Sequence, residues 1–489
     1  MLDEAKTVIQ LLEKRNYHAF FIGGKCRTDL HNQYHQETDY KVPVVDIDIV
    51  TDAPMEEISK IFPRHKQTGK SFPVLTIRFA GNSFELSPFE KDNKEYTLRS
   101  SKADKPAQDL PAGKLDENRK YRDFSINAIV QDHTGKYIDY TFKYNGKLIS
   151  AMHDVQAKII RCIGNPDERF EEDPIRVLRM FRFMSELGYT IERSTLKSAN
   201  MHKHLLSDID VNLIANEFNR IVKGKNAKET IMLMKKGGYF KLELSNGEIF
   251  MPFLNRPDEK LLSIMSEYNL HSGQYSQTNI LDDYVLMFLS SDKEEIKDNL
   301  LTLSPISEEE IEKILWMTKH FYLITSKDLY HDIYQAKDKY IESENVGRAG
   351  MCELIKHLVN IAKYMVFSPE SVEHARKIYH AFCEKPYFKE QLRPTDEEFC
   401  IYAHNKEIGP WLDEVKEAIL RQLIDAKSYP FSYNDYMKYV SAGFKEIFGD
   451  DYEIEVPHET VKLDIYGNIM DPAKACQYEY VSKASLDEE

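Results

Sequence analysis

The chain has 489 residues, enough for three or four domains or for one elongated helical protein. With 42% hydrophobic and 30% charged residues, no apolar run of transmembrane length and no basic-then-apolar pattern in Met1-Leu2-Asp3-Glu4-Ala5-Lys6, it is expected to be an ordinary globular protein, without membrane attachment or signal peptide. The net charge of −15 argues against a generally nucleic-acid-coating surface, although Arg64-His65-Lys66, Lys223, Lys225 and Lys228, and Lys235-Lys236 are local basic patches. Six cysteines without metal-ligand spacing fit reduced thiols and a cytoplasmic setting.

In chain order, the first informative element is Ala19-Phe20-Phe21-Ile22-Gly23-Gly24-Lys25-Cys26-Arg27, a short apolar run ending in a glycine pair. It reads as strand, tight turn and helix start. Backbone N–H groups at such a turn can cradle phosphate, with Lys25 and Arg27 adding charge. Next comes Val44-Val45-Asp46-Ile47-Asp48-Ile49-Val50, whose apolar–acid alternation has strand period. Residues i and i+2 of a strand face the same side, so Asp46 and Asp48 project together. Two adjacent carboxylates repel unless a cation lies between them, and hard oxygen ligands favour Mg²⁺. A phosphate-holding turn beside paired acids suggests metal-assisted phosphoryl or nucleotidyl transfer.

Residues 74–79 and 83–87 flank Gly81-Asn82 and read as a hairpin, whereas the polar, Lys/Asp/Pro/Gly-bearing stretch 91–120 reads as a long loop. From about residue 151 strand signals nearly vanish and helical periodicity takes over.

Five ordered segments, "FIGGKCR", "DIDIVT", "FELSPF", "YRDFSINAI" and "RFEEDPIRVLRMFRF", resemble the class II CCA-adding tRNA nucleotidyltransferases and the bacterial poly(A) polymerases over roughly residues 18–240. A fainter likeness at 405–424, "NKEIGPWLDEVKEAILRQLI", leans toward the firmicute-type CCA enzymes. The resemblance implies an α+β fold: a nucleotidyltransferase-type mixed-sheet head domain over 1–150, then an elongated all-α region. That region divides into a neck at 151–240 with a nucleotide-selecting helix, a body at 241–330, a tRNA-binding tail at 331–450 and an extension of open role at 451–489. It implies template-independent addition of CCA to tRNA 3′ ends from CTP and ATP with release of pyrophosphate. Alternatives are poly(A) addition, CC-only or A-only addition, and a non-catalytic RNA-binding relative.

The resemblance also implies a third carboxylate, Glu85, joining Asp46 and Asp48 as catalytic and metal-holding residues. Gly23, Gly24 and Arg27, then Arg122, Asp123 and Asn127, and finally Asp173, Arg176, Arg179 and Arg182 are the expected nucleotide-binding residues. In Glu172-Asp173-Pro174-Ile175-Arg176, Asp173 and Arg176 are three apart, which predicts a shared helical face. An acceptor-only Asp beside a donor-only Arg complements the edges of cytosine and adenine, each bearing an amino donor and a ring-nitrogen acceptor, and opposes uracil and guanine. The chain departs from the family pattern in three places. Tyr121 stands where a first Arg is usual, Thr28 intervenes before Asp29, and Asn212-Leu213-Ile214 ahead of Glu217 replaces a segment that braces the neck.

Overall fold

The structure is a computed structural model that describes residues 2–35, 47–68, 74–89, 112–272, 280–301, 306–326, 328–337, 340–341, 346–364, 377–378, 381–382, 387–392, 395–404, 406–426 and 433–454. The chain forms two compact units: residues 1–283 with 294–307, and residues 284–293 with 308–489.

The first unit opens with α1 (Leu2–Glu13), which buries Ala5, Val8, Ile9 and Leu12, one face of a helix at three-to-four spacing. β1 (Ala19–Ile22) is buried at all four positions and leads through Gly23 into α2 (Gly24–Tyr34). β2 (Asp48–Thr51), α3 (Met55–Ile61), β3 (His65–Thr68), β4 (Val74–Phe79) and β5 (Asn82–Pro88) follow. With β6 (Val130–Gln131) and β7 (Tyr137–Ile138) they complete a seven-stranded sheet in the order β3-β4-β5-β2-β1-β6-β7. β1 and β2 run antiparallel, whereas β2 and β5 run parallel and pair Asp48 with Glu85. The β4–β5 hairpin turns at Ala80 and Gly81, both at positive φ (48° and 83°), the conformation of the tightest hairpin turns.

Two sequence expectations fall differently here. Of the segment 91–120, residues 91–111 lie outside the described residues, and 112–120 form a helix, α4 (Ala112–Lys120), where a loop was expected. Among its residues with described side chains the inward ones are Leu115, Asn118 and Arg119, of which one is apolar, so the amphipathic signal is hidden. Polar bonds hold it instead: Asn118 Nδ2 donates to the Pro88 carbonyl at 2.9 Å and Arg119 Nη1 to the Asp139 carbonyl at 2.8 Å. Secondly, among the described residues of the expected strand around Asp46 and Asp48, Asp48–Thr51 is a strand, and Asp46 lies outside the described residues.

Beyond the head sheet, β8 (Thr141–Tyr144) and β9 (Lys147–Ser150) form a small hairpin. Helices then dominate: α5 (Ala151–Gln156), α6 (Pro166–Glu172), α7 (Arg176–Leu187), α8 (Arg193–His202), α9 (Val211–Val222) and α10 (Ala227–Gly237). α7 buries eight side chains, among them Val177, Leu178, Met180 and Phe181, and packs on α9 and α10.

The second unit is helical among its described residues. Its core joins Trp411, Val415, Ile419 and Leu423 of the helix Pro410–Asp425 to Tyr436, Met437, Val440 and Phe444 of the helix Tyr433–Phe448. Pro410 occupies the first turn of its helix, where its missing N–H has no intrahelical partner to lose. His331 and Asp332 lie in the short helix Leu329–Gln335, with Asp332 accepting the Ser326 hydroxyl. Among the described residues no helix is long and apolar enough to cross a membrane.

Candidate active site

The site is built at the end of β1. Gly23 has φ 72°, and a Cβ there would stand 2.9 Å from Asp48 Oδ2 and 3.8 Å from Arg122 Nη1. Glycine is therefore required twice, for its backbone conformation and for the approach of a carboxylate. Asp48 begins β2 and lies in register with Glu85, midway along β5, so the two acids sit on neighbouring strands of one sheet. Glu85 is exposed and Asp48 half-buried. Two hard carboxylates side by side, with the Gly23 turn drawn against one of them, are a donor set that fits a divalent cation. Among the described residues no group of three or more His, Cys, Asp or Glu converges on one point, and Asp46 lies outside them.

Arg122 arrives from the turn after α4 and donates from Nε to Asn118 Oδ1 at 3.4 Å. Burial lowers its pKa, opposed by the charge of Asp48. Asp123, next in sequence, is a hub. Its Oδ2 accepts Arg179 Nε at 2.9 Å and Nη2 at 2.7 Å, and its Oδ1 accepts Asn127 Nδ2 and the Phe124 N–H, each at 2.8 Å. Burial alone would raise this carboxyl, but the Arg179 charge and those hydrogen bonds outweigh it and hold it well below the usual carboxylate range. Asn127 in turn accepts Arg27 Nη1 from α2. Arg27, Asn127, Asp123 and Arg179 thus form one continuous polar chain.

Three expectations are refined by this geometry. Lys25 does not face the glycine turn. Its side chain is buried, its Nζ pairs with Asp29 Oδ2 at 2.9 Å and bonds Gln131, and it lies 4.6 Å from the Phe21 ring centroid. The shifted Asp29, four residues on along α2, is what captures it. Next, Asp173 and Arg176 do not share a helix. α6 ends at Glu172, Asp173 is extended (φ −151°, ψ 93°), and α7 starts at Arg176. Pro174 forbids the helical conformation to the residue before it. The two remain neighbours across the turn, with the Arg176 N–H donating to the Asp173 carbonyl at 3.2 Å and Arg176 Nε 3.7 Å from Asp173 Oδ2. Arg176 is also tied down, by Glu172 Oε2 at 2.8 Å and by the carbonyls of Arg169 and Tyr121 at 3.1 and 3.2 Å.

The third refinement is Arg182. It is 5% exposed, its Nη1 donates to Glu217 Oε1 at 3.0 Å, and Glu186 is 3.8 Å away. Burial lowers its pKa to about 10 and raises that of Glu217. Arg182 therefore braces α7 against α9, and Glu217 supplies the bracing acid. Sequence reasoning passed over Asn118 as part of this assembly, and named Asp29 only as displaced, not as the partner of Lys25. Only the Lys25–Asp29 spacing carried a local signal.

The site thus combines a glycine turn, a cross-strand carboxylate pair and an arginine-bearing helix start. Residues 19–161 match the family described as the poly A polymerase head domain. Along 86% of its length the chain is a homologue of the CCA-adding enzyme of Bacillus cereus (strain B4264), 25% identical over 429 residues that cover 94% of that protein. It is 28% identical over 334 residues to the CCA-adding enzyme of Ligilactobacillus salivarius, covering 64% of this chain and 77% of that one. The fold resembles that of the Bacillus stearothermophilus CCA-adding enzyme in complex with CTP, with TM-score 0.63, 20% identity, and 91% and 98% of the two chains covered. It also resembles the Thermotoga maritima CCA-adding enzyme complexed with tRNA_CCA, with TM-score 0.54, 16% identity, and 90% and 94% covered. Nucleotidyltransferases of this kind use divalent metal ions.

Proposed function

We propose that this protein is a cytoplasmic, template-independent tRNA nucleotidyltransferase that adds C, C and A to the 3′ end of tRNA, using CTP and ATP and releasing pyrophosphate. The observation that carries this reading is the register of Asp48 with Glu85 beside the Gly23 turn. In the reaction the 3′-hydroxyl oxygen of the tRNA bonds to the α-phosphorus, the bond to the β-phosphate breaks, and the hydroxyl proton passes to a carboxylate of the site. Asp46, Asp48 and Glu85 would hold Mg²⁺, which supplies charge neutralisation for the triphosphate and a more acidic hydroxyl. Arg27 and Arg122, with the backbone of Gly23 and Gly24, would grip the triphosphate and ribose; Asp123 and Asn127 hold Arg179 and Arg27 in place for that task.

Asp173 and Arg176 would read the base. The acceptor and donor flank one turn, so an incoming C or A offers its amino group to Asp173 and its ring nitrogen to Arg176. To do so, the base takes from Glu172 part of the Arg176 guanidinium. The helical stretch 331–450 would grip the folded tRNA through local Lys and Arg contacts, in spite of the net charge of −15. The head is shared with poly(A)-adding enzymes, so that activity is the second reading.

The test is incubation of the protein with tRNA lacking its terminal CCA, Mg²⁺ and each labelled nucleotide in turn. The expected result is two C additions, one A addition and then arrest. Long tails from ATP alone would establish the second reading. Incorporation of none of the four would remove both.

A further inference from the structure

Three guanidinium groups converge on one buried ring. Phe183 in α7 is 2% exposed, and the Cζ atoms of Arg182, Arg27 and Arg179 lie 4.6, 4.7 and 6.0 Å from its centroid. The ring of Phe124 stands edge-on to it at 5.8 Å. Arg179 and Arg182 belong to the helix of Phe183 itself, whereas Arg27 comes from α2, behind the glycine turn.

The three arginines are held differently. Arg179 is paired with Asp123 and Arg182 with Glu217. Arg27 makes no ion pair among the described residues, its Nη1 is held by Asn127, and its Nε is buried without a hydrogen-bond partner. Its Nη2 would be 3.7 Å from a Cβ on Gly24, so the far end of the guanidinium reaches the turn. Two things therefore fix Arg27: one amide oxygen and the face of Phe183. An aromatic face attracts a cation most strongly where water is excluded, and here it stands in for the carboxylate that Arg27 lacks. A carboxylate would neutralise the guanidinium, whereas the ring leaves its full charge for an anion at the turn.

We propose that Phe183 is a positioning residue for nucleotide binding. It holds Arg27 against the Gly23–Gly24 turn and so sets the affinity for the triphosphate that CTP and ATP share. The inference rests on the reading of Arg27 as a nucleotide-gripping residue. Because the triphosphate is common to both substrates and the base is read at Asp173 and Arg176, loosening Arg27 weakens CTP and ATP equally.

The experiment measures equilibrium binding of CTP and of ATP, with Mg²⁺, to the full-length protein and its Phe183→Leu, Arg27→Met and double variants, beside KM and kcat for each nucleotide. Phe183→Leu is expected to weaken both nucleotides about tenfold through KM, with kcat little changed and preference over UTP kept. In the Arg27→Met background the same substitution should add less than about twofold, because its effect runs through Arg27. Phe183→Met, which keeps the volume without the aromatic face, should match Phe183→Leu and serves if the leucine variant is unstable. Full multiplication of the two single effects, or a loss confined to one nucleotide, overturns the proposal. Wild-type protein that binds CTP and ATP but extends no tRNA would remove the proposed function and leave the positioning role standing. Wild-type protein that binds neither would remove both.

Discussion

Asp48 and Glu85 face each other in register on the parallel strands β2 and β5. The crossover between those strands, through α3, β3 and β4, exists only because a parallel pair needs one. It brings an acid from residue 85 beside an acid from residue 48 on neighbouring strands of the sheet. Either substitution, Asp48→Ala or Glu85→Ala, should therefore reduce nucleotide addition by about 10³-fold or more, as loss of a metal clamp does, while tRNA binding survives. Single-turnover rates alongside filter binding check this, and near-normal turnover in either variant would exclude it from the metal site.

The turn at Gly23 gives a second expectation. Any side chain there meets Asp48 Oδ2 at 2.9 Å and forces φ 72° on an L-residue. Gly23→Ala should cost about 1–2 kcal/mol from backbone conformation alone, and it should cost more in activity than in stability because the displaced atom is the carboxylate. Comparing thermal midpoints with addition rates distinguishes the two losses.

Much of this site was legible in the sequence, and the misreadings have physical causes. The glycine turn and the hairpin around Gly81 were readable because β-period and turn chemistry are local, whereas Glu85 came only with the family resemblance, and the structure sets it in register with Asp48. The helix 112–120 was not, because its inward face is filled by Asn118 and Arg119, whose partners at Pro88 and Asp139 are 30 and 20 residues away. The break at Asp173 was signalled by Pro174, and the even three-residue spacing to Arg176 hid it. The Asp123 hub needed the fold, since Arg179 is 56 residues from it.

Asp283 in the helix Ile280–Phe288 gives a stability prediction. It is fully buried, with the Asn269 side chain beside it. Burial, then the neighbouring Asp282, push its pKa well above the ordinary value, against the charge of Lys223. A carboxyl raised in the folded state favours folding least where the unfolded chain is ionised. Its cost is absent below about pH 4 and grows as pH rises toward the folded pKa. Asp283→Asn should raise the thermal midpoint at pH 7.5, by about 2–6 °C, and leave it unchanged at pH 4. An equal shift at both pH values would mean that packing, not ionisation, sets the effect.

At the other end of β1 the sign reverses. His18 Nδ1 lies 2.8 Å from Asp52 Oδ2, while the His18 N–H donates to Asp52 Oδ1 at 2.6 Å. The bond to Asp52 raises the His18 pKa, burial lowers it less, and Glu13 adds to the rise. A raised histidine contributes stability that is fully present below about pH 6.5 and is lost as pH rises through the folded value. His18→Gln should flatten the melting profile between pH 6 and 8.5. A slope identical to that of the wild type would assign the pH dependence to another group.

Base choice is the sharpest expectation. Asp173 offers only acceptors and Arg176 only donors, and the break at Pro174 holds them on either side of a turn instead of stacked on one helix. Uracil or guanine would set a carbonyl against Asp173 and a ring N–H against Arg176, leaving two groups unpaired at about 1–3 kcal/mol each. Discrimination on the order of 10² to 10⁴ follows. Glu172 already accepts Arg176 Nη1 at 2.8 Å, so Glu172→Gln should free the guanidinium and tighten CTP and ATP binding without relaxing selection. Asp173→Ala and Arg176→Ala should admit UTP and GTP. The measurement is incorporation of all four nucleotides by each variant into tRNA lacking its last three residues. Strict C and A preference in both alanine variants would place base reading elsewhere on the protein, and relaxed selection in Glu172→Gln would make Glu172 itself part of the reader.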